Sequence, residues 1–203
     1  MIMKTLIMAT NNAHKLEEVR QILGCAFIVK GLNDIGCTED IPETADTLEG
    51  NALQKALYVY EHYGLDCFAD DTGLEVDALD GAPGVYTARF GSMNGYGESH
   101  DSNANIQCLL DKLEEAEAET RTARFRTVIA LVQGGKEMLF EGIVEGDILP
   151  QPVGKSGFGY DPVFAPVEAG GLAFAQMSAE AKNSISHRAR ATKKLAEFLC
   201  GQQ

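Results

Sequence analysis

The segment Ala69-Asp70-Asp71-Thr72-Gly73-Leu74-Glu75-Val76 decides how the rest of the chain is organised. A short apolar run, residues 65–69, ends on two adjacent carboxylates, Asp70 and Asp71. A strand ending there would present both acids to a cleft, and like charges side by side need a cation or a shared proton. Mg²⁺ suits such a place, because it is usually held by one or two carboxylates together with substrate phosphates. An ordinary Asp-Thr-Gly surface turn is the alternative, since these residues are common in turns.

The composition indicates one acidic globular domain. The chain has 203 residues, of which 45% are hydrophobic, enough for a substantial core. A net charge of −13 argues against nucleic acid or an anionic membrane as a partner, although a cleft can be locally positive. No apolar run reaches the length of about eighteen residues that a membrane span needs. Residues 1–9 are too short for a signal peptide and are expected to open the first strand.

The cysteines are odd in number and scattered, namely Cys25, Cys37, Cys67, Cys108 and Cys200. This spacing favours free thiols in a reducing cytoplasm over a disulfide framework or a zinc site.

Strands alternate with helices in the first half of the chain, and a hairpin follows. This pattern predicts an α/β fold with a mixed sheet. Apolar runs predict strands at residues 4–9, 26–30, 123–133 and 136–145, the last two joined by Gly134-Gly135. Apolar stripes predict helices at residues 15–23, 48–63, 102–119 and from 189 onward. The Gly- and Ser-rich residues 91–99 are expected to form a flexible loop.

Three lysines and one acid stand out as candidate functional groups. Lys15 follows Thr10 and Asn12 between a strand and a helix, where free N–H groups of the first turn attract anions. A plain strand-to-helix connection capped by Asn12 is the alternative. Lys55 lies one turn from Asn51 on the second helix, but helical lysines usually face solvent. Glu43 lies close before that helix, and Lys182 belongs to a basic group with Ser186-His187-Arg188.

Two glycine-containing motifs call for different interpretations. Gly157-Phe158-Gly159 leaves an aromatic ring open for stacking or, equally, forms a turn with Phe158 in the core. Gly154-Lys155-Ser156 resembles the end of a P-loop, but Leu149 stands where that motif needs a glycine. We therefore exclude the P-loop.

Five motifs together resemble the inosine triphosphate pyrophosphatase family, over nearly the whole chain. They are Thr10-x-Asn12-x-x-Lys15-x-x-Glu18; Glu43-Thr44 with Asn51-Ala52-x-x-Lys55-Ala56; the stretch 70–90; Gly157-Phe158-Gly159-Tyr160-Asp161-Pro162; and Lys182 with Ser186-His187-Arg188. The resemblance implies a long central mixed sheet flanked by helices, forming one pyrophosphatase domain over residues 1–203. It implies two lobes around a deep active-site cleft, and a homodimer. The implied reaction is Mg²⁺-dependent hydrolysis of ITP, dITP and XTP to the monophosphate and pyrophosphate.

The resemblance also implies a role for each site residue. Asp71 would activate water and bind the metal, with Glu43 as a second metal carboxylate. The triphosphate would be held by Thr10, Asn11, Asn12, Ala13, His14, Lys15, Lys55 and Thr72. The purine would stack on Phe158, framed by Gly159, Tyr160, Asp161, Lys182, His187 and Arg188. The chain differs from the residues most common in the family at four positions, Asn11, Leu48, Thr72 and Thr87. The two threonines keep the hydroxyl of the serine that is usual there.

The purine edge explains how such a site would select its substrate. Hypoxanthine and xanthine carry a 6-keto acceptor, whereas adenine carries a 6-amino donor. Donors such as His187 and Arg188 would discriminate by roughly 10⁴-fold, because the wrong base leaves buried polar groups unpaired. A pyrophosphatase for other nucleotides, a catalytically silent nucleotide sensor and an interaction module remain as alternative functions.

Overall fold

A computed structural model describes residues 4–201 of the chain. The strands are β1 (Lys4–Met8), β2 (Phe27–Lys30), β3 (Cys67–Val76), β4 (Pro83–Gly84), β5 (Thr122–Gln133), β6 (Lys136–Ile148) and β7 (Phe164–Pro166). The helices are α1 (Ala13–Leu23), α2 (Leu48–Tyr63), α3 (Phe90–Met93), α4 (Ser102–Glu115), α5 (Ala179–Ile185) and α6 (His187–Gly201). Residues 1–3, which we expected to belong to the first strand, lie outside the described residues.

The strands form one mixed sheet in the order β2-β1-β3-β5-β6-β7, with β4 paired to β3. β1 runs parallel to both β2 and β3, whereas β4 is antiparallel to β3 and β7 is antiparallel to β6. The sequence-based prediction of an α/β fold with a mixed sheet flanked by helices is therefore confirmed.

The described chain divides into two compact units. The first unit comprises residues 4–71, 127–142 and 187–201, and the second comprises residues 72–126 and 143–186. The chain passes from one unit to the other within β3, β5 and β6, and between α5 and α6.

The first unit has two apolar cores, one on each face of its strands. Leu6 and Met8 of β1 pack in one core with Val19 of α1 and with Leu195 and Leu199 of α6. Ile7 and Ala9 belong to the other core, together with Ala52, Ala56 and Val59 of α2. Alternate side chains of a strand point to opposite faces, so β1 is covered by α1 and α6 on one face and by α2 on the other.

The second unit has a single core that is rich in aromatic residues. Leu74 and Val76 of β3 pack there with Leu109 and Leu113 of α4 and with several phenylalanines. Phe125 and Phe164 meet edge to face with their ring centroids 4.7 Å apart, a favoured geometry for aromatic pairs. Asp101 caps α4 by accepting hydrogen bonds from the backbone N–H groups of Asn103 and Ala104.

Several predicted boundaries were wrong. Asp70 and Asp71 lie inside β3 and not at a strand end, because Leu74 and Val76 stay buried and carry the strand onward. Residues 91–99 do not form a loop throughout, since α3 covers Phe90–Met93. α4 ends at Glu115, shortly before Glu117 adopts a positive φ of 46°. α1 and α6 each begin two residues earlier than predicted, at Ala13 and His187.

The described cysteine side chains agree with the prediction of free thiols. Cys37, Cys67, Cys108 and Cys200 form no disulfides, and the side chain of Cys25 lies outside the described part of the chain. Burial raises the pKa of the Cys67 thiol to about 12. Within residues 4–201, every helix is too short or too polar to cross a bilayer.

Gly142 of β6 permits a close approach of the first turn of α6. A Cβ on Gly142 would lie 2.6 Å from the backbone nitrogen of Ala191, and closer still to the carbonyl oxygen of His187. Helix backbone cannot move aside as a flexible side chain can. We therefore expect Gly142→Ala to lower the free energy of unfolding by about 1–3 kcal/mol through overpacking.

Urea denaturation measures this change. Gly201→Ala is the matched control. Gly201 is the last residue of α6, and a Cβ added there would meet nothing within 4 Å. The urea midpoint of Gly201→Ala should equal that of the wild type. If the urea midpoint of Gly142→Ala also equalled it, the close approach of α6 to Gly142 would be contradicted.

Candidate active site

Asp70 is a buried acid surrounded by cations of the first unit. Only 1% of its surface is exposed. Its Oδ2 lies 3.2 Å from Lys15 Nζ and accepts a 3.2 Å hydrogen bond from Arg188 Nε. The Arg188 guanidinium also donates to the carboxylate of Glu18, and Lys55 Nζ donates to the Asp70 carbonyl oxygen at 2.8 Å. Three cations thus converge on one residue of β3.

The charges of this group are strongly coupled. Burial opposes ionisation of Asp70, but Lys15, Arg188 and Lys55 outweigh it and hold the pKa of Asp70 well below its ordinary value. Burial lowers the pKa of Lys15, an effect that the attraction of Asp70 only partly offsets. Asp70 therefore stays ionised, and the Lys15 ammonium would be stabilised further by a second anion such as a phosphate.

Asp71 has a different set of neighbours. Successive side chains of a strand point to opposite faces, so the two carboxylates have different direct partners, although Lys15 and Lys55 attract both of them. Asp71 Oδ2 accepts a 3.1 Å hydrogen bond from Asn51 Nδ2, and Asp71 Oδ1 lies 3.6 Å from Lys55 Nζ. Burial raises the pKa of Asp71, although Lys55 and Lys15 oppose that shift.

Lys55 connects Asp71 to Glu43. Lys55 is 7% exposed, so the common solvent-facing alternative is wrong for this lysine. Its ammonium forms an ion pair with Glu43 and also faces Asp71. Burial disfavours its charge, but Asp71, Glu43 and Asp70 prevail and raise the pKa of Lys55. The two carboxylates that the sequence singled out are thus held around one ammonium group.

The donor set of Asp71 and Glu43 suits Mg²⁺. Among residues 4–201, no group of three or more His, Cys, Asp or Glu side chains is arranged to hold a metal ion. Mg²⁺ does not need such a group, because one or two carboxylates suffice when substrate phosphates and water complete its shell. A divalent cation would also favour the ionised form of Asp71, which burial disfavours.

The loop before α1 is ordered by its own side chains. Asn12 Oδ1 accepts hydrogen bonds from the backbone N–H groups of His14 and Lys15, at 3.0 and 3.1 Å. Thr10 Oγ1 accepts from Asn12 N at 3.1 Å. Asn12 is therefore the helix cap, as in the alternative interpretation of the sequence, and it occupies the two N–H groups that an anion site would have used. Asn11, Ala13 and His14 are exposed.

The second unit contains the Phe158 motif. Asp161 Oδ2 accepts hydrogen bonds from Phe158 N at 2.8 Å and from Lys182 Nζ at 2.7 Å. Lys182 Nζ lies 4.9 Å from the ring centroid of Phe158 and 5.5 Å from that of Phe174. Gly157, with φ +80°, leaves room for the Asp161 carboxylate that any Cβ would strike. Phe158 is half-buried, so its ring is neither fully in the core nor fully exposed.

The predicted site residues fall into two groups. The first unit holds Thr10, Asn11, Asn12, Ala13, His14, Lys15, Glu43, Lys55, Asp71, His187 and Arg188, and the second holds Thr72, Phe158, Gly159, Tyr160, Asp161 and Lys182. Tyr160 is 2% exposed, and its hydroxyl donates to the carbonyl oxygen of Thr87 at 3.0 Å. His187 and Arg188 are buried at the start of α6. The roles of all these residues toward a substrate stay predictions.

The sequence motifs contained three further residues to which we gave no role. Asp70 neutralises Lys15 and Arg188, Glu18 pairs with Arg188, and Asn51 bonds to Asp71. The helical spacings Lys15-x-x-Glu18 and Asn51-x-x-x-Lys55 were the available signals, because residues three or four apart share a helix face.

Comparison with known proteins gives a consistent result. Residues 6–198 match the family model described as the Ham1 family. A dITP/XTP pyrophosphatase of Porphyromonas gingivalis is 54% identical over 197 residues, covering 97% of this chain and 98% of that protein. A dITP/XTP pyrophosphatase of Bacillus subtilis is 44% identical over 200 residues, covering 98% of both. The solved Staphylococcus aureus Ham1 protein superposes with a TM-score of 0.86 at 36% identity, covering 98% of this chain and 100% of that one.

Proposed function

This chain belongs to the Ham1 family, and we propose that its phosphate chemistry is carried out around Lys15, Lys55 and Asp71. The protein is a nucleoside-triphosphate pyrophosphatase that hydrolyses non-standard purine nucleotides to the monophosphate and pyrophosphate. One observation supports the assignment to these residues: two largely buried lysines lie against the two adjacent acids of β3, Lys15 against Asp70 and Lys55 against Asp71, in a protein whose net charge is −13. Burial raises the pKa of the second of these acids, Asp71.

The lysines bind the triphosphate. A nucleoside triphosphate carries about four negative charges near neutrality, and its hydrolysis asks the protein mainly for positioning and charge stabilisation. Lys15 and Lys55 offset this charge in a place from which water is largely excluded, where electrostatic interactions are strong. We propose that Thr10, the loop residues 11–14 and Thr72 hold the remaining phosphate oxygens.

Asp71 orients the attacking water and accepts its proton. Without a bound metal ion, burial raises the pKa of Asp71 toward the operating pH, as suits a general base. When bound, Mg²⁺ would supply positive charge for the phosphate oxygens, with Glu43 and Asp71 as its protein ligands. Asn51 and Lys55 keep the Asp71 carboxylate in place.

The purine contacts the second unit in our proposal. Its ring stacks on Phe158, whose ring already has the Lys182 ammonium 4.9 Å from its centroid. Gly159, Tyr160 and Asp161 frame the base by fixing the motif that carries Phe158. We propose that His187 and Arg188 favour the 6-keto bases hypoxanthine and xanthine over adenine, because both side chains would donate hydrogen bonds to the keto oxygen.

We also propose the assembly and setting of the enzyme. One catalytic domain spans residues 1–203, works as a homodimer in the cytoplasm, and binds neither nucleic acid nor membranes. Light scattering coupled to size-exclusion chromatography measures the oligomeric state.

A nucleotide panel tests the proposed function. Pyrophosphate release is measured from ITP, dITP, XTP, GTP, ATP and dUTP, each with and without Mg²⁺. We expect Mg²⁺-dependent turnover of ITP, dITP and XTP, with ATP slower by roughly 10⁴-fold. Release of orthophosphate in place of pyrophosphate would contradict the reaction. Tight ITP binding with no turnover would show a nucleotide sensor instead.

A further inference from the structure

We propose that Asn51 is a positioning residue, which sets the Asp71 carboxylate against the loop that carries Glu43. This inference rests on the proposed function, because it concerns how the water-activating acid and the second metal carboxylate are held together. Nothing in the family resemblance gave Asn51 a role of its own.

The Asn51 side chain uses both of its polar ends. It is 1% exposed, on the face of α2 that also carries Lys55. Its Nδ2 donates to Asp71 Oδ2 at 3.1 Å, and its Oδ1 accepts from Ala45 N at 2.9 Å. Ala45 lies two residues after Glu43, so one amide group joins the strand residue Asp71 to the Glu43 loop.

The bond to Asn51 decides which oxygen of Asp71 remains available. Asp71 Oδ2 is occupied by the Asn51 donor, whereas Asp71 Oδ1 faces the Lys55 ammonium at 3.6 Å. A donor on one oxygen restricts rotation of the carboxylate, so the other oxygen keeps a constant direction. A neutral side-chain amide offers donor N–H groups and an acceptor oxygen on two separate atoms. A carboxylate at position 51 would instead repel Asp71.

The Glu43 loop has a second attachment that provides a control. Gln54, also on α2, accepts from Thr44 N at 3.0 Å and donates to Thr44 Oγ1 at 3.1 Å. This attachment is exposed, and it involves Thr44 and not Asp71. Gln54→Leu would remove this attachment and loosen the Glu43 loop, but it would leave the Asn51 donor to Asp71 in place. It therefore separates the effect of a loosened loop from the effect of losing the bond to Asp71.

The test compares Asn51→Leu, Asn51→Asp and Gln54→Leu with the full-length wild type. Partners that orient metal ligands typically contribute 10–100-fold to metal affinity or activity. We expect Asn51→Leu to lower kcat for ITP by about 10-fold and to raise the half-saturating Mg²⁺ concentration by about 10-fold. KM for ITP should stay within about twofold, and Gln54→Leu should resemble the wild type in all three quantities.

The Asn51→Asp variant, a metal-binding measurement and thermal melting separate a positioning role of Asn51 from a role in folding. Asn51→Asp keeps the shape and the acceptor for Ala45 N but removes the donor to Asp71, so its kcat should also fall about 10-fold. Electron paramagnetic resonance measures Mn²⁺ binding with a non-hydrolysable ITP analogue, which requires no turnover, and Asn51→Leu should bind Mn²⁺ more weakly. Thermal melting checks that each variant is folded.

The outcomes distinguish this inference from the proposed function. If the wild type released no pyrophosphate from ITP, the proposed function would fail. If the wild type were active and both Asn51 variants matched its kcat, Mg²⁺ dependence and Mn²⁺ binding, only the positioning role would be overturned. A Gln54→Leu variant as impaired as Asn51→Leu would also overturn it, because loop attachment alone would then explain the effect.

Discussion

Asp71→Asn is expected to lower kcat for ITP hydrolysis at least about 100-fold, the low end for loss of an acid–base group. Asparagine has the shape of aspartate and can still accept the hydrogen bond that Asn51 Nδ2 donates at 3.1 Å. It cannot take a proton from water, and as a neutral group it is a poor ligand for Mg²⁺. The variant should therefore still bind the nucleotide but hydrolyse it much more slowly.

The same substitution should change the stability of the fold little. Burial raises the pKa of Asp71 in the folded protein. For an acid this means that ionisation costs stability at pH values above its unfolded pKa of about 4, and that the cost disappears at low pH. Asparagine is neutral at every pH and lacks this cost. Lys55, however, loses one of the carboxylates that raise its pKa and keeps only its ion pair with Glu43. At pH 7 the two effects oppose each other, and the melting temperature of Asp71→Asn should stay close to that of the wild type.

Pyrophosphate release and thermal melting, measured on the same preparations, check both expectations. Asp80→Asn is the matched control, because Asp80 is an exposed acid on the same stretch of sequence. It should keep wild-type turnover. Full activity of Asp71→Asn would remove Asp71 from the mechanism, and a large change in melting temperature in either direction would contradict this balance of charges.

Local sequence signals predicted the helices that have clear caps. The bounds of α2 that the apolar stripe predicted agree with the structure, in which Thr47 caps the first turn and Gly64, with φ 64°, ends the helix. α1 was placed two residues late, although Asn12 had been considered as its cap, because the predicted start rested on the apolar stripe alone. Where caps and apolar stripes coincide, the backbone follows from the sequence alone.

The surroundings of the acids were harder to predict, because they depend on distant residues. Thr72-Gly73 is typical of a turn, yet β3 continues because Leu74 and Val76 are buried against α4. Arg188 pairs with Glu18, 170 positions earlier in the chain, and no local pattern reveals such a pair. Motif resemblance identified most members of the group, but not which of them bond to each other.

The contacts also hold several cations of this acidic protein close together. Lys15, Lys55 and Arg188 are each paired with carboxylates of the first unit, inside a molecule of net charge −13. The arrangement depends on Asp70, which contacts both Lys15 and Arg188.

Asp70→Asn is therefore expected to lower the free energy of unfolding by about 3–5 kcal/mol at pH 7, the usual cost of removing one partner from a buried ion pair. Arg188 keeps its bond to Glu18, but Lys15 loses the carboxylate that lies 3.2 Å from its ammonium. Glu115→Gln is the control, because Glu115 forms a surface ion pair of similar length, 3.0 Å, with Lys112. Solvent screens that pair, and its loss should leave the free energy of unfolding almost unchanged.

The pH dependence of this loss identifies its cause. The cations around Asp70 hold its pKa below the ordinary value in the folded protein. The resulting stability is present above the unfolded pKa of about 4 and is lost as pH falls toward the folded pKa. Urea denaturation at several pH values between about 3 and 7 should show a constant gap between wild type and Asp70→Asn above about pH 5, which narrows below about pH 4. A gap that stayed equally large at the lowest pH would assign the loss to altered packing, and not to the charge of Asp70.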